Sequence, residues 1–330
     1  MTRTALARRL GRSGVPVSPI GLGCWAIGGP LWAGEQPRGW GEVDDQESTR
    51  AIRRALDLGV TLFDTADVYG AGHSERVLGR ALAGDRPRVL IATKFGNTFD
   101  EASRQMGGVD VSPGYVRSAC EASLERLGTD YIDLYQLHVG DLPEEQALVV
   151  RQSLEELVDD GLIRSYGWST DDPARARLFG AGAHGMAVQH GLNVFADADE
   201  MLDTCHRLAV ASINRSPLAM GLLTGKFQGG SRLPMDDVRG REPAWMRWFK
   251  GGGPVPEYLA RLEAIREVLT SGGRTLTQGA LAWIWGRSDL TIPIPGFRTV
   301  AQVEENAGAL RFGPLAPAQM AEIEELLDRA

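Results

Sequence analysis

Four polar side chains of different chemistry accompany apolar runs in this sequence. Asp64, Lys94 and His138 each end such a run, and Tyr69 lies five residues beyond Asp64. Short apolar runs that end in a polar residue are typical of buried strands, and a charged group there is costly to bury without partners. A phenol, an ammonium, a carboxylate and an imidazole together suit carbonyl reduction, because that reaction needs an acid for the oxygen and charges that set its pKa.

Elements that would bring these side chains together follow one another along the chain. Strand-like and helix-like stretches alternate from residue 18 to about residue 310. The predicted strands cover residues 19–25, 60–65, 89–94, 131–138, 163–169, 187–189, 209–214 and 290–294. This unbroken alternation predicts an α/β fold with a parallel sheet, a (β/α)8 TIM barrel. Because the active sites of such barrels lie at the C-terminal ends of the strands, we expect the four side chains to meet on that face.

The predicted helices alternate with these strands, and two longer segments interrupt the pattern. The helices cover residues 45–58, 74–83, 112–127, 144–160, 173–179, 201–208, 256–269, 277–285 and 299–309. Residues 15–29 are broken by prolines and glycines, which favours an N-terminal β-hairpin over an export signal. Residues 28–41 and 229–253 are rich in Gly, Pro and Trp, and we expect them to form long loops over the C-terminal face. Residues 1–330 are expected to form a single barrel domain.

Composition and charge narrow the class of protein. The chain has 330 residues, is 43% hydrophobic and 24% charged, and carries a formal net charge of −8. That balance is ordinary for a globular domain and argues against a nucleic-acid or anionic-membrane partner, since both require a basic face. No stretch approaches the roughly 20 apolar residues that span a bilayer. The three cysteines have neither disulfide nor metal spacing, so we expect a cytoplasmic protein without a metal. Its expected partner is a small molecule, and its oligomeric state stays open.

Two glycine-rich segments imitate nucleotide-binding motifs without meeting their requirements. Residues 21–26 follow a strand and match a dinucleotide fingerprint, but residues 27–30 cannot start the helix that this motif needs. Residues 221–226 resemble a phosphate loop, yet they have one residue too few and lack the terminal hydroxyl residue. A glycine-rich turn that ends in Lys226 can still hold a phosphate.

Each of the four polar residues also has a structural interpretation. Asp64 can cap a strand, Tyr69 can pack in a turn and Lys94 can cap the sheet. His138 can be a semi-buried histidine with satisfied hydrogen bonds. All four fall on the same predicted face of the barrel, and this coincidence favours chemistry over four independent structural roles.

Six segments of the sequence resemble the aldo-keto reductase family, over residues 20–310. They read FDTADVYG with SE shortly after, IATK, LERLGTDYIDLYQLH, SPLAMGLLTGK, IPGFRT and QVEEN. The resemblance implies a (β/α)8 barrel that reduces a carbonyl compound with NADPH, in preference to NADH. It also implies that the chain has neither a Rossmann domain nor a metal.

By that resemblance, Tyr69 is the general acid that protonates the carbonyl oxygen. An unperturbed tyrosine titrates at about 10, and the ammonium of Lys94 is expected to lower that pKa. Asp64 would pair with Lys94 and fix it, and His138 would orient the carbonyl oxygen through a hydrogen bond.

The resemblance also assigns a cofactor site. Ser169 and Gln189 would hold the carboxamide of the nicotinamide, and Arg298 suits a 2′-phosphate because it precedes a predicted helix. The other expected cofactor residues are Cys24, Trp25 and Asp64, with Ser216, Leu218, Gly221 and Lys226 around the pyrophosphate and Gly296, Gln302, Glu305 and Asn306 at the adenosine end. The alternative for Arg298 is a surface ion pair with Glu304 or Glu305.

The sequence departs from the family pattern at two places near the expected nicotinamide. Thr170 stands where the family usually has Asn, and it offers a hydroxyl in place of an amide. No Tyr, Phe or Trp directly follows Gln189, where the family often has a tyrosine that stacks on the nicotinamide.

The two long loops should shape the substrate pocket. Trp25, Trp32 and His138 are the expected substrate contacts. The loops also carry Trp40, Trp245, Trp248 and Phe249 beside Arg247 and Lys250. These side chains suit a ring or sugar with an anionic group, or they pack the loops onto the barrel. An aryl aldehyde, a quinone or dicarbonyl, and a keto-sugar or nucleotide sugar all fit.

The sequence also leaves two other functions open. A regulatory subunit on the same barrel would bind NADP(H) and report the redox state to a partner. The complete set of four polar residues argues against that function. An isomerase or aldolase would use Lys94 as a Schiff base, which requires a neutral amine, whereas Asp64 is expected to keep this lysine charged.

Overall fold

A barrel of parallel strands forms the centre of the protein. The structure is a computed structural model that describes residues 6–241 and 243–329. Within these residues the barrel strands are β1 (Gly21–Gly23), β2 (Leu62–Asp64), β3 (Leu90–Phe95), β4 (Leu134–Leu137), β5 (Tyr166–Ser169), β6 (Gly185–Gly191), β7 (Ala211–Arg215) and β8 (Thr291–Pro293). Each strand pairs with the next in chain order. A bridge between Gly23 and Gly296 joins the two ends of the sheet, which confirms the predicted (β/α)8 barrel.

Helices connect the strands and cover the outside of the barrel. They are α1 (Asp45–Asp57), α2 (His73–Leu82), α3 (Pro113–Leu127), α4 (Glu144–Asp159), α5 (Pro173–Gly180), α6 (Asp199–Leu208), α7 (Pro256–Thr270), α8 (Leu276–Arg287), α9 (Val300–Gly308) and α10 (Pro317–Leu326). Local sequence sets their ends: the Oγ of Ser112 accepts from the N–H of Tyr115 at the start of α3, and Gly128 ends it with φ 63°. Such caps satisfy groups that a helix end leaves unpaired. Helix α10 lies beyond the predicted elements.

Alternation along each strand separates the barrel interior from the helix layer. Leu62 and Leu134 belong to the cluster inside the barrel, whereas Tyr135 packs in the larger cluster that includes the helices. Side chains two residues apart on a strand share a face. Asp64 and Gln136 therefore follow Leu62 and Leu134 on the interior side, at the C-terminal end.

A short hairpin precedes the barrel. Arg8–Arg9 pairs with Pro16–Val17 in antiparallel fashion, and the Nε of Arg8 donates to the carbonyl of Thr291 at 2.9 Å. The predicted N-terminal β-hairpin is confirmed. Its first strand lies upstream of residues 15–29, however, because residues 21–23 join the barrel as β1.

The loops over the C-terminal face contain small sheets of their own. Trp32–Ala33 pairs with Gln36–Pro37, and a hairpin of Asn97–Asp100 with Gln105–Val109 follows β3. Phe249–Lys250 pairs with Gly253–Pro254. In the part of the chain that the structure describes, no helix combines the length and the apolar character that a membrane crossing requires.

Candidate active site

A buried ion pair lies at the ends of β2 and β3. The Nζ of Lys94 is 2.6 Å from Oδ1 of Asp64 and 2.7 Å from the carbonyl oxygen of Thr65. Both charged side chains are almost completely buried. Burial alone would lower the pKa of Lys94, but Asp64 and then Tyr69 outweigh it, and the pKa is raised. Lys94 is therefore an ammonium at neutral pH, which removes the basis for the Schiff-base interpretation.

Tyr69 reaches this ion pair from the turn after β2. Its hydroxyl lies 3.4 Å from the Nζ of Lys94. The turn requires glycine at position 70, where φ is 62° and a Cβ would lie 1.7 Å from the carbonyl oxygen of Gly28. Burial raises the pKa of Tyr69, and Lys94 opposes this change without reversing it. Lys94 therefore acts in the expected direction, but burial has the larger effect on this pKa, and the hydroxyl keeps its proton at neutral pH.

His138 faces the ring of Tyr69 from the end of β4. The two rings are perpendicular, with centroids 5.8 Å apart. The Nδ1 of His138 is buried and has no hydrogen-bond partner among the described residues. Burial, then Lys94 and Arg215, lowers the pKa of His138 to about 3. The imidazole is therefore neutral, and it keeps hydrogen-bonding capacity for a bound molecule.

Two amide side chains hold the second oxygen of Asp64. Gln189 donates from Nε2 to Oδ2 of Asp64 at 2.7 Å, and Gln136 donates to the same oxygen at 3.1 Å. The Nε2 of Gln189 also lies 3.3 Å from Oε1 of Gln136. The sequence reasoning missed Gln136. Its signal is a lone polar residue in an apolar run, two positions before His138 and hence on the same face of the strand.

Three tryptophans line the same cavity as Tyr69, and one of them stacks on it. Trp25 stacks on its ring with centroids 5.9 Å apart, and it contacts Trp40 at 5.4 Å and Trp245 at 6.1 Å. Trp32, an expected substrate contact, is not among the residues that line the cavity and pairs with Pro37 and Gln105 in a small sheet. The first long loop therefore contributes Trp40 in its place.

A cavity of about 1000 Å³ opens above these groups. Thirteen of the expected cofactor residues line it: Trp25, Asp64, Ser169, Gln189, Ser216, Leu218, Gly221, Lys226, Gly296, Arg298, Gln302, Glu305 and Asn306. The structure does not bring Cys24 to the cavity. Its thiol packs in the hydrophobic core and donates to the carbonyl of Leu22 at 3.7 Å. All three cysteines are free and buried.

Cations gather at one end of the cavity and fit a phosphate group. Burial lowers the pKa of Lys226, and Arg239 and Arg298 lower it further. Asp237 pairs with Arg239 at 2.6 Å. Arg298 donates from its guanidinium to the carbonyl oxygens of Trp40 and Glu42, so two cations of this group have no carboxylate partner among the described salt bridges. Bound phosphate would supply the missing negative charge.

The alternative surface pair of Arg298 is not present in the structure. Glu304 pairs instead with Arg54 at 2.8 Å. The backbone N–H of Arg298 donates to Oε1 of Gln302 at 2.7 Å, and Asn306 donates to the carbonyl of Gly296 at 3.4 Å. These bonds fix the turn before α9, where the N-terminus of the helix favours an anion.

The other end of the cavity suits an uncharged ring amide. Ser169 and Gln189 line it, whereas the hydroxyl of Thr170 accepts from the N–H of Asp172 at 3.1 Å and Thr170 is buried outside the lining. Thr170 therefore has a local structural role at the start of α5. Arg215, paired with Asp171, also lines the cavity and was not expected. Its position directly after the predicted strand 209–214 was the available signal.

Comparisons with known sequences agree with this geometry. The sequence profile described as the aldo/keto reductase family matches residues 19–328. Aldo-keto reductase YhdN of Bacillus subtilis (strain 168) is 34% identical over 300 residues, which cover 88% of this chain and 85% of the relative. Aldo-keto reductase yakc [NADP(+)] of Schizosaccharomyces pombe (strain 972 / ATCC 24843) is 30% identical over 334 residues, with coverages of 98% and 92%.

Solved structures show the same likeness. The glycerol dehydrogenase AKR11B4 from Gluconobacter oxydans superposes with a TM-score of 0.82 at 31% identity, over 98% of this chain and 95% of that one. An aldo/keto reductase from Klebsiella pneumoniae in complex with NADP and acetate gives a TM-score of 0.69 at 25% identity, also over 98% and 95%.

Proposed function

This chain belongs to the aldo/keto reductase family, and we propose that it reduces an aldehyde or ketone with NADPH, using Tyr69 as the general acid. At the level of reaction class it is an NADP-dependent oxidoreductase that acts on carbonyl or alcohol groups. The observation that carries the finer proposal is the position of the Tyr69 hydroxyl, 3.4 Å from a buried ammonium and at the base of an open cavity.

Each of the four polar side chains has its own role in proton transfer. Tyr69 holds a proton at neutral pH, because burial raises its pKa, and gives it to the carbonyl oxygen. Lys94 stabilises the phenolate that remains, since an opposite charge at this distance favours the ionised form. His138, neutral and with a free ring nitrogen, donates or accepts a hydrogen bond that orients the substrate oxygen. Asp64 holds Lys94 in place.

The residues that line the cavity fit NADPH from end to end. When bound, the nicotinamide supplies the hydride for the carbonyl carbon. Ser169 and Gln189 hold its carboxamide. Lys226 and Arg298 hold phosphate oxygens at the cationic end, and this charge favours NADPH over NADH because only NADPH carries a 2′-phosphate.

Three indoles favour a flat substrate. Trp25 stacks on Tyr69 and its ring lies 5.4 Å from that of Trp40 and 6.1 Å from that of Trp245. All three indoles line the cavity, and aromatic rings gain energy by stacking at such distances. Arg247 lines the same cavity and is exposed. We therefore place aryl aldehydes and aryl ketones ahead of dicarbonyls and keto-sugars, with an anionic ring substituent as a favourable addition.

A redox-reporting subunit would need only the cofactor site. The buried pair of Lys94 with Asp64, and the two amides on that carboxylate, contact no part of the cationic end where the phosphates would lie. Burying an ion pair is seldom favourable for stability alone. Catalysis accounts for the buried pair of Lys94 with Asp64 beside Tyr69, whereas cofactor sensing alone requires no such pair.

The test is consumption of NADPH, followed by absorbance, against a panel of aryl aldehydes, dicarbonyls and keto-sugars. Wild type and Tyr69→Phe are compared at equal NADPH occupancy. We expect turnover of the aryl compounds by wild type and a loss of about 100-fold or more in Tyr69→Phe, the range for removal of a general acid. Undiminished turnover in Tyr69→Phe would overturn the assignment of the acid. Silence across the panel would favour the cofactor-reporting function.

A further inference from the structure

We propose that Gln136 is a positioning residue that locks the carboxylate of Asp64 to the amide of Gln189, and so couples cofactor binding to the acidity of Tyr69. This inference rests on the proposed function above. Neither the family profile nor the names of the relatives assigns a role to this side chain. The side-chain hydrogen bonds of Gln136 go to Asp64 and Gln189, and the side chain is buried, so it acts through these two neighbours.

The position of Gln136 in the fold offers no other role for its side chain. It is completely buried and lies on β4 between Tyr135 and Leu137, both of which pack in the cluster that includes the helices. Alternation therefore directs Gln136 into the barrel, where an apolar residue would be the ordinary choice. A buried amide there is costly unless its donors and acceptors are paired. Its hydrogen bonds go to Asp64 and Gln189.

Those bonds determine the orientation of both amides. Gln136 donates from Nε2 to Oδ2 of Asp64 and accepts at Oε1 from Nε2 of Gln189. Gln189 gives its second Nε2 proton to the same Oδ2 of Asp64. A flip of either amide would set a carbonyl oxygen against the carboxylate. With Nε2 fixed inward, Oε1 of Gln189 remains the acceptor for the carboxamide nitrogen of a nicotinamide.

The same bonds influence Tyr69 through two steps. The carboxylate of Asp64 shares its charge among Lys94, Gln136 and Gln189. Without one amide donor, the carboxylate of Asp64 interacts more strongly with Lys94. Lys94 then stabilises the phenolate of Tyr69 less. The pKa of Tyr69 should then rise further, and oxidation of the alcohol, which needs the phenolate, should shift to higher pH.

The experiment compares three variants of the full-length protein. Gln136→Met keeps the length of the side chain and removes both hydrogen bonds. Tyr135→Phe is the matched control, because it removes a buried hydroxyl that has no partner among the described residues, one position away on the same strand. NADPH affinity is measured by quenching of tryptophan fluorescence, and the pH profile of kcat/KM is measured for alcohol oxidation with NADP⁺.

We expect Gln136→Met to weaken NADPH about 3- to 10-fold, the range for one neutral hydrogen bond. We also expect the apparent pKa of alcohol oxidation to rise, while Tyr135→Phe leaves both quantities at their wild-type values. A folded Gln136→Met with wild-type affinity and a superimposable pH profile would overturn the proposal. A purely structural role of Gln136 would lower the melting temperature of Gln136→Met and leave its pH profile in place.

The third variant, Gln136→Glu, tests the positioning role through the pH dependence of NADPH affinity. The protonated carboxyl donates to Asp64 as the amide does, whereas the ionised form sets two like charges against each other. Its NADPH affinity should match wild type at low pH and fall as pH rises, and an affinity ratio independent of pH would contradict the proposal. Because fluorescence needs no turnover, an inactive wild type would refute only the proposed reaction, and a normal wild type with an unaffected Gln136→Met would refute only the positioning role.

Discussion

The base and the top of the cavity are built in different ways. The floor consists of the four proposed catalytic residues, Asp64, Tyr69, Lys94 and His138, and the indole roof consists of Trp25, Trp40 and Trp245. In the floor, both oxygens of Asp64 and the Nζ of Lys94 make short hydrogen bonds, and Lys94 is 0% exposed. In the roof, rings touch without hydrogen bonds to one another, and Trp245 is 44% exposed. Under the proposed function, the floor carries out the reaction and the roof determines which substrates bind.

The largest expected effect comes from breaking the floor. Lys94→Met leaves the buried carboxylate of Asp64 without its cation, which should cost about 3–5 kcal/mol of unfolding free energy and lower activity by 100-fold or more. Lys94→Met combined with Asp64→Asn removes both charges and should recover much of the stability but none of the activity. Urea denaturation with steady-state kinetics separates the two, and a single variant as stable as wild type would show that the pair is solvated.

The next effect distinguishes the two ends of the cavity. Arg298→Ala should weaken NADPH by about 10- to 100-fold, because it removes charge-assisted contacts, while NADH binding changes little. Arg54→Ala is the control, since it removes an exposed cation of α1 that pairs with Glu304 of α9. Titration with both nucleotides measures the difference. Equal losses for NADPH and NADH would show that Arg298 does not contact the 2′-phosphate.

A smaller effect tests the roof. Trp245→Ala should lower kcat/KM for aryl aldehydes by about 3- to 10-fold, the range for one aromatic contact, and leave short aliphatic aldehydes and NADPH binding as they are. Trp32→Ala removes a tryptophan of the first long loop that lies outside the cavity. It should change neither class of substrate. A uniform loss for all substrates in Trp245→Ala would assign this residue to packing alone.

The smallest expected effect is on the reduction rate, which should not depend on the protonation of His138. His138 has a pKa of about 3, so the reduction rate should show no inflection from an imidazole between about pH 5 and 8.

The stability of the fold, by contrast, should depend on pH in this range. The folded pKa values of His138 and of His190, at about 4, lie below 6.5, so only the unfolded chain binds these protons, and the unfolding free energy falls as pH drops below about 6.5. Urea titrations at several pH values check the slope, which His138→Asn should reduce.

The floor could be predicted because each part of it follows from local sequence. Each of its strands is a short apolar run, and the residues that end those runs share a face once the strands are parallel. Even the shortest predicted strand, residues 187–189, lies inside β6, Gly185–Gly191. Helix α10 and the hairpins in the loops were missed, because their formation depends on contacts with the finished barrel.

For the roof, the sequence could predict that tryptophans would line the cavity but not which ones. Trp32 and Trp40 stand in the same loop, and the sequence offers no basis for choosing between them. The choice depends on the pairing of Trp32 with Pro37 and Gln105, which is a non-local event. Cys24 and Trp25 differ for a similar reason. They are neighbours at the end of β1, and the turn there directs Cys24 into the core and Trp25 over Tyr69.

All three cysteines of the chain are buried thiols. Burial raises the pKa of Cys120 and of Cys205 to about 12, and it raises the pKa of Cys24 still further. Thiolates are the nucleophiles that electrophilic compounds alkylate, and aldehydes, quinones and dicarbonyls are electrophiles of this kind. Under the proposed function, a carbonyl substrate held in the cavity would meet no ionised sulfur of this chain.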